Sequence, residues 1–284
     1  MEYHFSIYSV GNILSAIFVL FLGFSVYFRK KQSSINRNFF YFAFVTFIWL
    51  FSFGISYLSA TEQQVLFWSK IGYTGVIFMA ISATQFIAAF INLKFQKYFY
   101  VISYAIYLAT IYLLYFTNYF INGLNKYFWG CYPKAGPIHP FFLTFFIANV
   151  AFLNIIVFVE WLKTRKDNSA YSRRVQYIFL AFLSVSIGTV DFIPNYGIEI
   201  YPFGWMLVLF YCSTIAYAIL KYQLMDINII VRKAFFYSII IALISGFITA
   251  ISFLNSWLID NIPGFKFWVA PLLIGAVSFF IGRL

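Results

Sequence analysis

Nine long apolar runs leave this chain little choice of fold. They cover residues 7–28, 39–60, 66–93, 98–117, 141–161, 177–193, 203–220, 236–259 and 267–282. A helix needs roughly 20 mostly apolar residues to cross the hydrocarbon core of a bilayer. The runs are continuous and do not alternate in short segments, so helices are expected rather than barrel strands. The first run is not a cleaved signal peptide: of the six residues before it only Glu2 and His4 are acidic or basic, so there is no basic segment, and it is too long. The residue content agrees, since 63% is hydrophobic and only 10% charged, against about 25% charged in a soluble domain. The 40 Phe, 23 Tyr and 7 Trp suit helix contacts and interfacial belts.

The expected fold is therefore an all-α integral membrane protein. A seven-helix transmembrane bundle occupies 1–220, a cytoplasmic interfacial junction 221–235, and a two-helix transmembrane hairpin 236–284. With the N-terminus outside, 15 of the 19 Lys and Arg fall on inner segments, among them Arg29, Lys30, Lys163, Arg173 and Lys221. Lys70, Lys126, Lys134 and Lys266 fall outside. That bias predicts an N-out, C-in orientation and assigns the net charge of +11 to the anionic inner leaflet. Nucleic acid is a poor partner, because the charges are split among short loops.

One polar interruption stands out, "CYPKAGPIHPFF" at 131–142. Pro133, Pro137 and Pro140 stiffen it, and Pro140 can open the fifth helix, where a missing N–H costs nothing. Two readings stand: a rigid cap on the outer end of the bundle, or a lid whose Lys134 and His139 meet a ligand.

"YPKAGPIHPFF" resembles the Pro–Gly–Pro–His–Pro loop in the N-terminal seven-helix sensor region of bacterial histidine kinases. "FWSKIGYTG" (67–75) resembles the start of that family's third helix, and "DFIPNYGIEIYPFG" (191–204) its loop between helices six and seven. "AYAILKYQLMDINIIVRKAFFYS" (216–238) resembles the junction that follows helix seven. One departure is Gln85, in "ATQF", where the resemblance leads one to expect His. The resemblance implies a receptor module of a two-component system in the bacterial cytoplasmic membrane. No kinase follows "IGRL", so the expectation is a sensor module without its output, either truncated or acting through a cytoplasmic kinase or other signalling partner.

Polar residues inside the apolar runs are the remaining clue, since they are expensive there and face other helices or a cavity. Ser184, Gly188, Asp191 and Asn195 share a face at helical spacing in the sixth run. Gly75, Met79, Ser82, Gln85, Ala89 and Asn92 do so in the third. Ser52, Ser56 and Ser59 form a stripe in the second run, where hydroxyls that bond across helices are the plain expectation. Asp191 needs a partner, and Lys70 and Lys134 are the cations expected near it. The ligand-contacting set is Lys134, His139, Asp191, Asn195, Gln85 and Tyr73. A coupling set at the inner side is Glu160, with Lys163 as its expected partner, then Lys221, Asp226 and Arg232. Ser238, Ala242, Ser245, Thr249 and Ser252 in the eighth run suit close packing, within the chain or across a homodimer.

No catalytic triad, nucleotide-binding glycine loop or metal-ligand spacing is present, so neither enzyme activity, metal nor cofactor is expected. Cys131 and Cys212 lie at different depths and are read as free thiols. An opsin-like photosensor is set aside, because the nearest lysine to the seventh run is Lys221, at its inner rim, and none is buried within it. Two classes remain: a sensor for a small, amphipathic or lipid-like ligand, and a small-solute transporter or channel.

Overall fold

The computed structural model describes residues 3–93, 97–166 and 169–223. The eighth and ninth apolar runs, Asp226 and Arg232 lie outside the described residues. Seven helices follow one another: α1 (Ile7–Arg29), α2 (Ser34–Ser56), α3 (Glu62–Phe90), α4 (Lys97–Phe116), α5 (His139–Thr164), α6 (Ala170–Gly188) and α7 (Gly204–Gln223). Each of the first seven apolar runs becomes one of them. Their starts are chemically marked. The side chains of Ser33, Thr61 and Ser169 accept N–H groups from Asn36, Gln64 and Ser172, satisfying donors that a helix start leaves free. Pro140 occupies the first turn of α5, where proline sacrifices no hydrogen bond.

Six helical segments are long and apolar enough to cross a membrane: α1, α2, α3, α5, α6 with its continuation to Tyr196, and α7 over Gly204–Lys221. The apolar part of α4, Tyr100–Phe116, is shorter. Around the bundle, α1 packs on α2 and α7, α2 on α3, α3 on α5, α5 on α6, and α6 on α7; α4 leans on α3. α2 and α3 cross closely at Gly75. A Cβ at Gly75 would sit 2.6 Å from the Val45 carbonyl oxygen and 2.7 Å from the Trp49 nitrogen, so only glycine lets the two backbones approach this closely.

The serine stripes behave differently from expectation. Ser59, Ser82 and Ser184 are buried, but their hydroxyls donate to carbonyls three or four residues back, on Ile55, Met79 and Ala181. A short hydroxyl reaches its own helix more easily than a neighbour's. The longer amides make the crossings. Asn36 donates to the Val26 carbonyl at 2.7 Å, Asn149 to Thr84 at 3.2 Å and Asn154 to Ser186 at 3.1 Å.

The membrane part is helical, but the connection between α4 and α5 is not. It forms an antiparallel hairpin of β1 (Ile121–Tyr127) and β2 (Gly130–Ala135), with Tyr127 opposite Gly130 across a two-residue turn. The prolines are thus divided: Pro133 lies within β2, Pro137 in the short link, and Pro140 in α5. The hairpin shares one end of the bundle with the N-terminal arm and the α2–α3 turn. The His4 N–H donates to the Leu58 carbonyl at 2.8 Å, and Lys126 pairs with Glu62 at 2.8 Å.

A second irregularity follows α6. The chain tightens into a 3-10 segment, Thr189–Tyr196, so Asp191 and Asn195 do not continue the α-helical face that carries Ser184. The tighter turn suits Pro194, which cannot donate an N–H to an α-helical ladder.

Candidate functional site

The hairpin is fastened to the 3-10 segment through main-chain carbonyls. Asn125 Nδ2 donates to Pro194 O at 3.0 Å, the Tyr127 hydroxyl to Pro194 O at 2.5 Å, and the Tyr132 hydroxyl to Asp191 O at 3.0 Å. In return, Asn195 Nδ2 donates to Pro133 O at 2.8 Å. The backbone N–H of Phe128 reaches Glu199 Oε1 at 3.2 Å. Sequence and geometry meet here: amide and phenol side chains on one strand face find the carbonyls that a proline-containing 3-10 turn leaves available.

Beneath the hairpin, His139 is fully buried at the start of α5. Its Nε2 lies 3.0 Å from the Tyr73 hydroxyl on α3 and its Nδ1 2.9 Å from the Tyr196 hydroxyl. A ring with one N–H donates at one nitrogen and accepts at the other, and a phenol can do either. Phe120, Phe142 and Phe192 surround the ring edge-to-face. His139 therefore joins three elements and does not greet solvent, a correction to its reading as a lid residue.

Asp191 is also buried, with 8% exposure. Its expected ion pair with Lys70 or Lys134 does not form. Both carboxylate oxygens instead accept the Gly204 N–H at the start of α7, at 2.9 and 3.0 Å. The positive end of the α7 dipole supports the same charge. A Cβ at Gly204 would fall 2.2 Å from Asp191 Oδ2, so the contact exists only because that residue is glycine. Lys134 is exposed and makes no ion pair among the described residues. Lys70 donates to the Tyr115 carbonyl at 3.4 Å.

Next to this contact lies a cavity. Tyr132 of the hairpin, Trp49 of α2, Tyr73 of α3, Phe146 of α5, Asp191 and Leu207 of α7 are in its wall. The cavity volume is about 40 Å³, room for roughly three waters. Gly188 borders it on the α6–α7 side, where an added Cβ would meet nothing nearer than Leu207 Cδ1 at 4.0 Å. Of the ligand-contacting candidates, only Tyr73 and Asp191 line this space. Asn195 is turned to the hairpin, and Gln85 donates to the Tyr104 hydroxyl at 2.8 Å, bridging α3 to α4.

Sequence reading missed Trp49, Tyr132 and Tyr211 as wall residues because each sits among many other aromatic residues. At the opposite end, Glu160 accepts from the Tyr171 hydroxyl at 3.0 Å and lies 3.6 Å from Lys163. Lys221 donates to the Tyr217 hydroxyl one turn away. Both cysteines are free: Cys212 is buried and Cys131 partly so. Burial pushes the Cys131 thiol up in pKa; the Glu62 carboxylate adds to this and Lys126 opposes it.

The family described as the N-terminal 7TM region of histidine kinase matches residues 12–228. The chain belongs to that family, and it is a multi-span membrane protein carrying the non-catalytic sensor region of such kinases. No curated protein and no solved structure matches it.

Proposed function

We propose that this chain is the receptor module of a histidine-kinase-type signalling system, with N-terminus outside, seven spans in the bundle and two more after it. It resides in the bacterial cytoplasmic membrane. A small ligand enters the cavity beneath the hairpin, and the displacement of α6 and α7 passes inward to a cytoplasmic kinase partner. Glu160, Lys221, Asp226 and Arg232 lie on that route, and the eighth run is available for a homodimer contact.

The observation that carries this reading is the position of the cavity: it adjoins the Asp191–Gly204 joint between the end of α6 and the start of α7. A pocket usually needs about 300–1,000 Å³ to bury a drug-sized molecule. Occupancy of so small a space therefore either involves a very small group or pushes α6 and α7 apart, and the second outcome is a signal. A ligand shifts the bundle only by its differential affinity for the two arrangements.

The test fuses the full chain to a reporter histidine kinase. Gly188→Phe fills the cavity and is expected to change basal kinase output at least fivefold. Leu183→Phe, at an exposed position on the same helix, leaves output unchanged. Equal output from both variants, each well expressed, overturns the receptor reading. Solute accumulation by proteoliposomes holding the chain would instead establish a transporter.

A further inference from the structure

The cavity beneath Tyr132 is chemically one-sided. Among the described residues of its wall, Asp191 is the one carboxylate and none is Lys, Arg or His. The ion pairs among the described residues, Lys126–Glu62 and Lys163–Glu160, are elsewhere. Both Asp191 oxygens accept the Gly204 N–H, the Phe203 backbone also bonds to this carboxyl group, and a carboxylate offers about four acceptor sites. Acceptor capacity is therefore left over on a side chain that is more than nine-tenths buried.

The rest of the wall favours the same sign of charge. Trp49, Phe53, Tyr73, Tyr132 and Tyr211 line it, and aromatic faces attract cations. The wall's hydroxyls offer little to an anion. Tyr73 is engaged with His139, Tyr132 donates to the Asp191 carbonyl, Thr189 donates to the Ser186 carbonyl, and the Tyr211 hydroxyl lies 3.4 Å from that of Thr46, which itself donates to the Phe42 carbonyl.

We propose that this cavity binds a small organic cation, its ammonium group against the Asp191 carboxylate and its apolar stem between the aromatic wall and the α6–α7 seam at Gly188. This rests on the cavity being the receptor's ligand site and names the ligand's class. The small volume suits a primary ammonium on a short chain. Such a cation supplies the counter-charge that Asp191 lacks among the described residues, and it pulls on the residue that holds the start of α7.

The test is calorimetric titration of the full chain in phosphatidylcholine nanodiscs, with empty nanodiscs subtracted. The probes are n-butylammonium, 1-butanol and butyrate, which are similar in size and differ in charge. Butylammonium is expected to bind at least tenfold more tightly than either of the others. Asp191→Asn, which keeps an oxygen for Gly204, is expected to weaken butylammonium at least tenfold and to leave butanol within twofold. Trp49→Leu removes an aromatic face without touching the Gly204 contact, and it is expected to weaken butylammonium at least threefold. If Asp191→Asn does not fold, Trp49→Leu decides: an unchanged butylammonium affinity overturns the proposal. Equal binding of butanol, or tighter binding of butyrate, overturns the cation proposal while leaving the cavity as a ligand site. Absence of binding by all three overturns both.

Discussion

The Tyr73 hydroxyl and His139 Nε2 lie 3.0 Å apart, both groups fully enclosed, and join the third helix to the start of the fifth. Removing one member leaves the other buried without its partner, which typically costs about 1–3 kcal/mol. Tyr73→Phe is expected to lower stability by that amount in detergent unfolding. His139→Phe should cost at least as much, since it also frees Tyr196. The double variant should cost less than the two single losses added together, and strict additivity would show that the pair is not coupled.

Gly204 and Asp191 make a second, stricter pair. Gly204→Ala drives a methyl group into the carboxylate, and overpacking of this kind costs about 1–3 kcal/mol. The expected result is a lower melting temperature than that of Asp191→Asn, whose geometry is retained. A Gly204→Ala protein as stable as wild type would show that the start of α7 moves freely away from α6.

Gly75 is the corresponding point in the α2–α3 crossing. Gly75→Val has no flexible neighbour to displace, because the atoms it meets belong to the α2 backbone. It should reduce folded protein in the membrane more than Gly188→Val, whose Cβ has open room. Comparable yields of the two would contradict the close crossing.

Cys131 gives a prediction in pH. Its thiol is raised above the usual range by burial, then by Glu62, and only the thiolate reacts. Labelling by a membrane-impermeant maleimide in intact cells should therefore be slow at pH 7 and accelerate up to a higher pH than for an exposed cysteine. Glu62→Gln removes a neighbouring negative charge and should speed labelling at pH 7. Lys126→Ala removes the cation that opposes the shift and should slow it. Protection of Cys131 at every pH would oppose an outer position for the hairpin.

How much of this was legible before the fold depended on what carried the information. Helix positions followed from unbroken apolar side chains, and Pro140 marked the start of α5 by its own chemistry. The hairpin was hidden because "INGLNKY" is polar and short, and the prolines beside it read as loop. Asp191 stands out in the sequence as a carboxylate in an apolar run that needs a partner. Residue types point to a cation as that partner, whereas the group that meets it is the N–H of Gly204, and a backbone donor leaves no signature in a sequence. His139 was noticed for its proline neighbours, yet its role comes from Tyr73, 66 residues earlier, a distance that no local pattern spans. Gln85 was placed on the right helix but turns to α4.

The fastening of the hairpin has a consequence for how such a molecule changes over time. Its donors, Asn125, Tyr127 and Tyr132, hold carbonyl oxygens of residues 191 and 194, and every amino acid supplies those atoms. Side chains of the 3-10 segment that face elsewhere are thus free to drift without loosening the joint, while substitutions at the three donors loosen it at once. The exposed tip at Phe128 becomes a handle: an antibody fragment that grips it pulls, through main-chain oxygens, on the continuation of the sixth helix. A reagent bound at the tip would then act on the chain between α6 and α7 without entering the bundle.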